Sequence, residues 1–132
     1  MRTELITPER LPEILKWWPE RGEGDMPPEL LPPLGVVAYD QGDWPLAAAW
    51  LARVEGTPLA WIDWLVARPG LNAWEARQSC LAVFTRLEAI ARDQGIRMLF
   101  AAACRHGLVP EIQACGFVVM ARGVTHLAKP LP

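Results

Sequence analysis

The stretch NAWEARQSCLAVFTRLEAIARDQG (residues 72–95) decides how this chain folds, set as it is between LAWIDWLV (59–66) and IRMLFAAAC (96–104). Asn72 followed three residues on by Glu75 is the signature of a capping box at a helix start. Leu81, Phe84, Leu87, Ile90 and Ala91 recur at helical spacing, and Gly95 supplies the left-handed stop. The flanking stretches are short, apolar and rich in β-formers, so each reads as a strand. A strand, a long helix and a second strand require a parallel crossover.

Upstream of this unit the chain reads as hairpins. Leu34–Tyr39 and Leu46–Val54 are apolar strands separated by the turn Asp40-Gln41-Gly42-Asp43, and Glu55-Gly56-Thr57-Pro58 leads into Leu59–Val66. Met1–Thr7 is a short first strand. A helix entered at Thr7-Pro8 carries Leu11, Ile14, Leu15 and Trp18, and is stopped by Pro19. Glu20–Pro33 is a loop rich in Pro, Gly and acid (Glu20, Glu23, Asp25, Glu29). Downstream, Leu108–Cys115 reads as a short helix closed by Gly116, and Phe117–Ala121 and Val124–Leu127 as two last strands. The expected order is β-α-β-β-β-α-β-α-β-β. It predicts an α/β (α+β) domain spanning residues 1–132, with a mixed, mostly antiparallel sheet of six to seven strands and helices on both faces.

Composition narrows the function. The chain has 132 residues, 52% apolar and 21% charged, with a formal net charge of −2. That profile is globular, and one domain of this size buries roughly 65–70% of its unfolded surface. A pI near 5.7 without a basic run gives no footprint for nucleic acid or an anionic membrane. Apolar runs fall well short of the roughly 20 residues that span a bilayer, and Met1–Arg10 has no apolar stretch of signal-peptide type. Cys80, Cys104 and Cys115 form no CxxC pair, and the two His residues, His106 and His126, are far apart. A disulfide framework and a metal site are therefore not expected, and a reducing cytoplasm is the expected compartment. Seven Trp and thirteen Pro are the unusual entries in the composition.

The element order resembles the GNAT superfamily of acyl-CoA N-acyltransferases. The residues that carry the likeness are Trp61-Ile62-Asp63-Trp64-Leu65-Val66-Ala67-Arg68-Pro69, similar to the family's fourth strand, the helix end Asp93-Gln94-Gly95, and Ala114-Cys115-Gly116-Phe117 after a short helix. The resemblance implies acetyl-CoA as cofactor. Its pantetheine would be held by the fourth strand around Leu65, Val66 and Ala67, and its pyrophosphate by the start of the following helix near Arg68, Ala76 and Arg77, a helix-terminus anion site. It implies acyl transfer to an amine, on a small molecule or a protein.

Departures from the family pattern are equally specific. Its pyrophosphate loop, Q/R-x-x-G-x-G/A, falls on Leu71-Asn72-Ala73-Trp74-Glu75-Ala76, where only Ala76 conforms and Trp74 stands in place of a glycine. Counting back from Gly95 places the motif on Glu75-Ala76-Arg77-Gln78-Ser79-Cys80, which also lacks glycine. Ile112 occupies the position of the family's tyrosine acid. These departures keep a second function open, a GNAT-fold binding or assembly module without catalysis, with Trp-bearing surface for a homodimer or partner.

Within that frame Asp63 is an acid in an apolar strand, where burial would raise its pKa toward the range of a general base. A structural ion pair with one of the arginines is its other reading. His106 could donate the proton that the missing tyrosine would supply, or could be a solvated helix-start residue. Cys104 could serve the same role or be a small buried hydrophobe. Arg68 and Arg77 could grip phosphate or lie on the surface. Trp17 and Trp18, consecutive on one helix, point about 100° apart, so both are not expected to be buried on one stripe. Together with the acidic loop they would form an aromatic rim suited to a cationic acceptor.

Overall fold

We describe a computed structural model of the chain, covering residues 1–102 and 109–132. Three hairpin strands form its centre: β2 (Leu34–Tyr39), β3 (Pro45–Arg53) and β4 (Leu59–Ala67). They are flanked by β1 (Arg2–Leu5) and β5 (Met98–Ala101), in the spatial order β1-β2-β3-β4-β5. All neighbouring pairs are antiparallel except β4 and β5, which the crossover makes parallel. The sheet is thus mixed and mostly antiparallel, as expected.

Helices cover both faces. On one lies α3 (Ala73–Asp93), the long helix whose ends were legible locally. Asn72 accepts a hydrogen bond from the Glu75 amide at 2.8 Å, the Glu75 carboxylate accepts from the Asn72 amide, and Gly95 follows with φ +77°. The buried stripe of α3 is Cys80, Val83, Phe84, Leu87 and Ala91, with Leu81 and Ile90 half-buried beside it. It packs on Val36, Ala38, Ala47, Ala49, Leu51, Ala60 and Ile62. The small alanines at the sheet centre let the helix approach closely.

The other face carries α1 (Leu11–Leu15) and α2 (Trp17–Glu20). One continuous helix was expected here, stopped by Pro19; instead the helix breaks at Lys16 and Pro19 lies inside α2. That break changes the fate of the two tryptophans. Trp17 and Trp18 are both buried, Trp18 against Trp50 with ring centroids 5.9 Å apart. They join Ile14, Val37, Tyr39, Ala48, Trp50 and Val66 in a second core, closed at its margin by Met26 and Leu31 of the long loop. The expectation that they could not both be buried is corrected: with α1 and α2 short and offset, no single stripe has to hold both rings.

A bulge in β4 sets the geometry of everything downstream. Trp50 pairs with Asp63 and Ala48 with Val66, so β4 carries an extra residue, and Trp64 takes the left-handed φ of +58°. Before the bulge Ala60 and Ile62 face α3. After it Leu65 and Ala67 face α3 and Val66 faces the tryptophan core. A one-residue insertion exchanges the two faces of a strand.

Among the described residues the last two expected strands are not formed, and the sheet has five strands rather than six or seven. The short helix is present as α4 (Val109–Ala114). Beyond it Phe117 meets Phe84 edge-on at 5.7 Å, but Val118 is 84% and Leu127 92% exposed. Strand-forming sequence makes a strand only where another strand offers its edge. The described residues of 117–132 make no such ladder, and β5 itself is only four residues long.

Candidate functional site

The parallel pairing of β4 with β5 runs only from Leu59–Met98 to Ile62–Ala101. Past Ile62, at the bulge, β4 continues for five residues with no described strand on its β5 side. The amide of Trp64 is held at 2.9 Å by the Asp63 carboxylate. The described pairing thus ends before Leu65–Ala67, and residues 103–108 lie outside the described residues. α3 and α4 pack against Leu65 at this end of β4. Leu65, Cys80, Phe84, Glu111, Ile112 and Cys115 line a small cavity of about 10 Å³ there, close to the volume that one water requires.

Asp63 is solvent-exposed, which corrects the expectation of a buried carboxylate in an apolar strand. Asp63 lies on the face opposite α3, beyond the cover of the tryptophan core, and its side chain accepts from its neighbour's amide. Asp63 makes no ion pair with any described arginine, so the structural ion-pair reading has no support either. Leu65 packs toward α3, and Val66 is buried in the tryptophan core. Cys104 and His106 lie outside the described residues.

Arg68 is not an open phosphate ligand. Its Nε donates to the Pro45 carbonyl at 2.7 Å, and its Nη2 donates to the Glu13 carboxylate at 2.9 Å. The guanidinium lies over the rings of Trp17 and Trp44. It ties the end of β4 to α1, α2 and the start of β3. Arg21, which sequence reasoning missed, completes the arrangement by donating to the carbonyls of Ala67 and Arg68. Arg77 is half-exposed and forms a 2.7 Å ion pair with Glu111, which joins α3 to α4. The other Glu111 oxygen is buried without a hydrogen-bond partner.

At the N-terminus of α3 the capping box takes the amides of Asn72 and Glu75, and the Ala76 amide donates to the Asn72 carbonyl at 3.0 Å. Only Ala73 and Trp74 keep first-turn amides without a described acceptor, as helix geometry requires of some. Trp74 is 65% exposed. It stands at the edge of a broad depression of about 630 Å³ beside Tyr39, Asp40 and Asp43. The Cys80 thiol is pushed up to about 11 by burial, opposed by Arg21 and reinforced by Glu111. Burial, reinforced by Glu88, also raises Cys115. Both are therefore neutral thiols near pH 7 rather than nucleophiles. Among the described residues no cluster of His, Cys, Asp and Glu could hold a metal ion, and no helix is long and apolar enough to cross a membrane.

Neither a protein-family model nor a curated protein sequence matches the chain. Solved structures do. A Trypanosoma brucei acetyltransferase superposes with a TM-score of 0.70 at 12% identity, covering 96% of this chain and 99% of its own. An aminoglycoside N-acetyltransferase solved in complex with CoA gives 0.67 at 13% identity, covering 98% and 100%. An aminoglycoside 6′-N-acetyltransferase from Acinetobacter haemolyticus gives 0.62 at 15% identity, covering 100% of both chains. At such identities the likeness is one of fold.

Proposed function

We propose, from the GNAT fold that this chain shares with those acetyltransferases, that it transfers an acyl group from acyl-CoA to an amine. The observation that supports the reading is the parallel pair β4–β5 after the crossover helix, with a bulge in β4 just past its last described rung. Past that rung β4 runs on through Leu65, Val66 and Ala67, whose backbone edge would be offered to the cofactor. A pantetheine amide can pair with such an edge as a neighbouring strand would.

In this reading the backbone of β4 orients the thioester. The acceptor nitrogen attacks the carbonyl carbon, the carbon–sulfur bond breaks, and the departing thiolate takes a proton. Asp63 at the bulge accepts the proton of the amine, directly or through a water. His106 or Cys104 is the proton donor to sulfur. The fit to the nucleotide end is partial: the Ala73 and Trp74 amides are open to a pyrophosphate, while Arg77, one turn further along α3, is paired with Glu111. Arg68 has been assigned above to structure, and Glu75 places a carboxylate in the same helix turn. Acetyl-CoA is the expected cofactor, and calorimetry tests it. Saturable heat at sub-millimolar cofactor supports the reading, and none at millimolar concentration removes it.

The capping box favours a second reading, because a helix start that satisfies itself has less need of a bound anion. With Trp44 and Trp74 both more than half exposed, the fold would then serve as a binding or assembly module, a homodimer included. Light scattering distinguishes the two, since a strictly monomeric chain with measurable acetyl-CoA binding leaves the second reading without support.

A further inference from the structure

On the face opposite α3, the tryptophan core covers β1 to β3 but stops short of β5. Trp61 of β4 and Phe100 of β5 are register partners, and their rings stack with centroids 5.0 Å apart. Both are half-buried. Ala52, the partner of Trp61 on β3, is too small to cover the indole and is itself half-exposed. Two residues along β4 on this same face is Asp63, whose own cross-strand partner is Trp50. The order across the surface is thus Trp50, Asp63, Trp61, Phe100. A single exposed carboxylate lies between aromatic rings, and no described cation answers it.

The long loop, with Asp25 and Glu29 exposed, packs on the same face of the sheet through Met26 and Leu31. The Arg21 guanidinium is engaged with the backbone carbonyls of Ala67 and Arg68 at the far end of β4. The described charge at this surface is the Asp63 carboxylate, and its floor is the half-buried Trp61–Phe100 pair. An aromatic face attracts a cation through its quadrupole, most strongly when the cation is alkylated and weakly hydrated.

We propose that Trp61, Phe100 and Asp63 form a subsite for an organic cation: the Trp61–Phe100 stack is the platform for its alkylammonium group and Asp63 its counter-ion. The proposal deepens the acyl-transfer reading and rests on it only in making the bound cation the acceptor. It assigns an acceptor that enters as an ammonium ion with an apolar flank. A neutral or anionic acceptor would gain nothing from the same surface. The rim once expected from Trp17 and Trp18 is replaced by a different pair of rings, since those two are buried.

The test uses the full-length chain without any acyl donor. Choline and its uncharged isostere 3,3-dimethylbutan-1-ol are titrated while the indole N–H signals are followed by nuclear magnetic resonance. Choline is expected to shift the Trp61 signal saturably, with the isostere at least about fivefold weaker. Asp63→Asn should weaken choline severalfold, Trp61→Leu should abolish its binding, and Trp61→Phe should restore part of it. Equal binding of the two probes overturns the proposal. So does choline binding that survives Trp61→Leu, or a dimer in which Trp61 and Phe100 are buried. Because no cofactor is present, failure to bind acetyl-CoA would remove the acyl-transfer reading and leave this result to stand or fall alone.

Discussion

The indole of Trp50 on β3 lies directly over the backbone of Gly35 on β2, its register partner, and leaves no room there for a side chain. A Cβ at Gly35 would come within 2.6 Å of the Trp50 Cδ1 and 2.8 Å of the Ile6 Cδ1. Glycine is required here by close approach rather than by backbone conformation. Trp50 in turn positions Trp18, and it stands opposite Asp63 at the site.

Gly35→Ala is therefore expected to push Trp50 out of register with its core. Overpacking of this kind costs about 1–3 kcal/mol. Urea denaturation followed by circular dichroism would show it as a lower midpoint with little change in slope. A midpoint equal to wild type would mean that the second core yields more easily than its packing implies.

Arg68 is expected to act on stability rather than on cofactor affinity. Arg68→Lys keeps the charge but loses the fork that reaches Pro45 and Glu13 together, and the flat stacking on Trp17 and Trp44. The loss should be about 1–3 kcal/mol, mainly from the buried carbonyl contact, since the Glu13 partner is substantially exposed and screened. Parallel denaturation and acetyl-CoA titration separate the possibilities. A large fall in affinity with unchanged stability would return Arg68 to the phosphate site.

Glu75 caps α3 and also places a carboxylate where a pyrophosphate would approach. Glu75→Gln retains a side chain able to accept from the Asn72 amide while removing the charge. If the α3 N-terminus receives the pyrophosphate, acetyl-CoA should bind about two- to fivefold more tightly at low salt, equivalent to about 0.3–1 kcal/mol. Added salt should erase the gain. No change at any ionic strength would place the nucleotide elsewhere.

Cys80 makes a prediction in pH. Its thiol titrates near 9 when unfolded and at about 11 when folded. The folded state therefore holds the proton more strongly, and its stabilising effect is complete below pH 9. It is lost as pH rises through about 11, amounting to about 2–3 kcal/mol. Comparing urea midpoints of wild type and Cys80→Ala between pH 8 and 11 isolates this group. The wild type should lose more stability over that window, and parallel curves would contradict the assignment. Alkylation of Cys80 by iodoacetamide near pH 7.5 should be correspondingly slow.

The part of the fold legible in sequence is the part fixed by neighbours along the chain. Asn72 and Glu75 sit three residues apart and satisfy each other wherever the helix lies. Gly95 stops the helix by its own φ. The turn at Asp40–Asp43 closes because the Asp40 side chain accepts from the amides of Gly42 and Trp44. The hairpins, the crossover and helices on both faces follow from such local rules.

What only the tertiary structure decided depends on strand partners distant in sequence. The bulge at Asp63 and Trp64 exists in the register of β4 against β3, and Asp63 is exposed because the second core leaves its part of the sheet face uncovered. Phe117–Leu127 has the composition of strands but lacks a described partner, so its apolar side chains beyond Phe117 face solvent. Arg68 reads in sequence as a free cation beside a phosphate loop. In three dimensions Pro45, Glu13 and two tryptophans already hold it. Side-chain chemistry is written in the sequence, but which groups are left unsatisfied is decided only when the chain brings remote residues together.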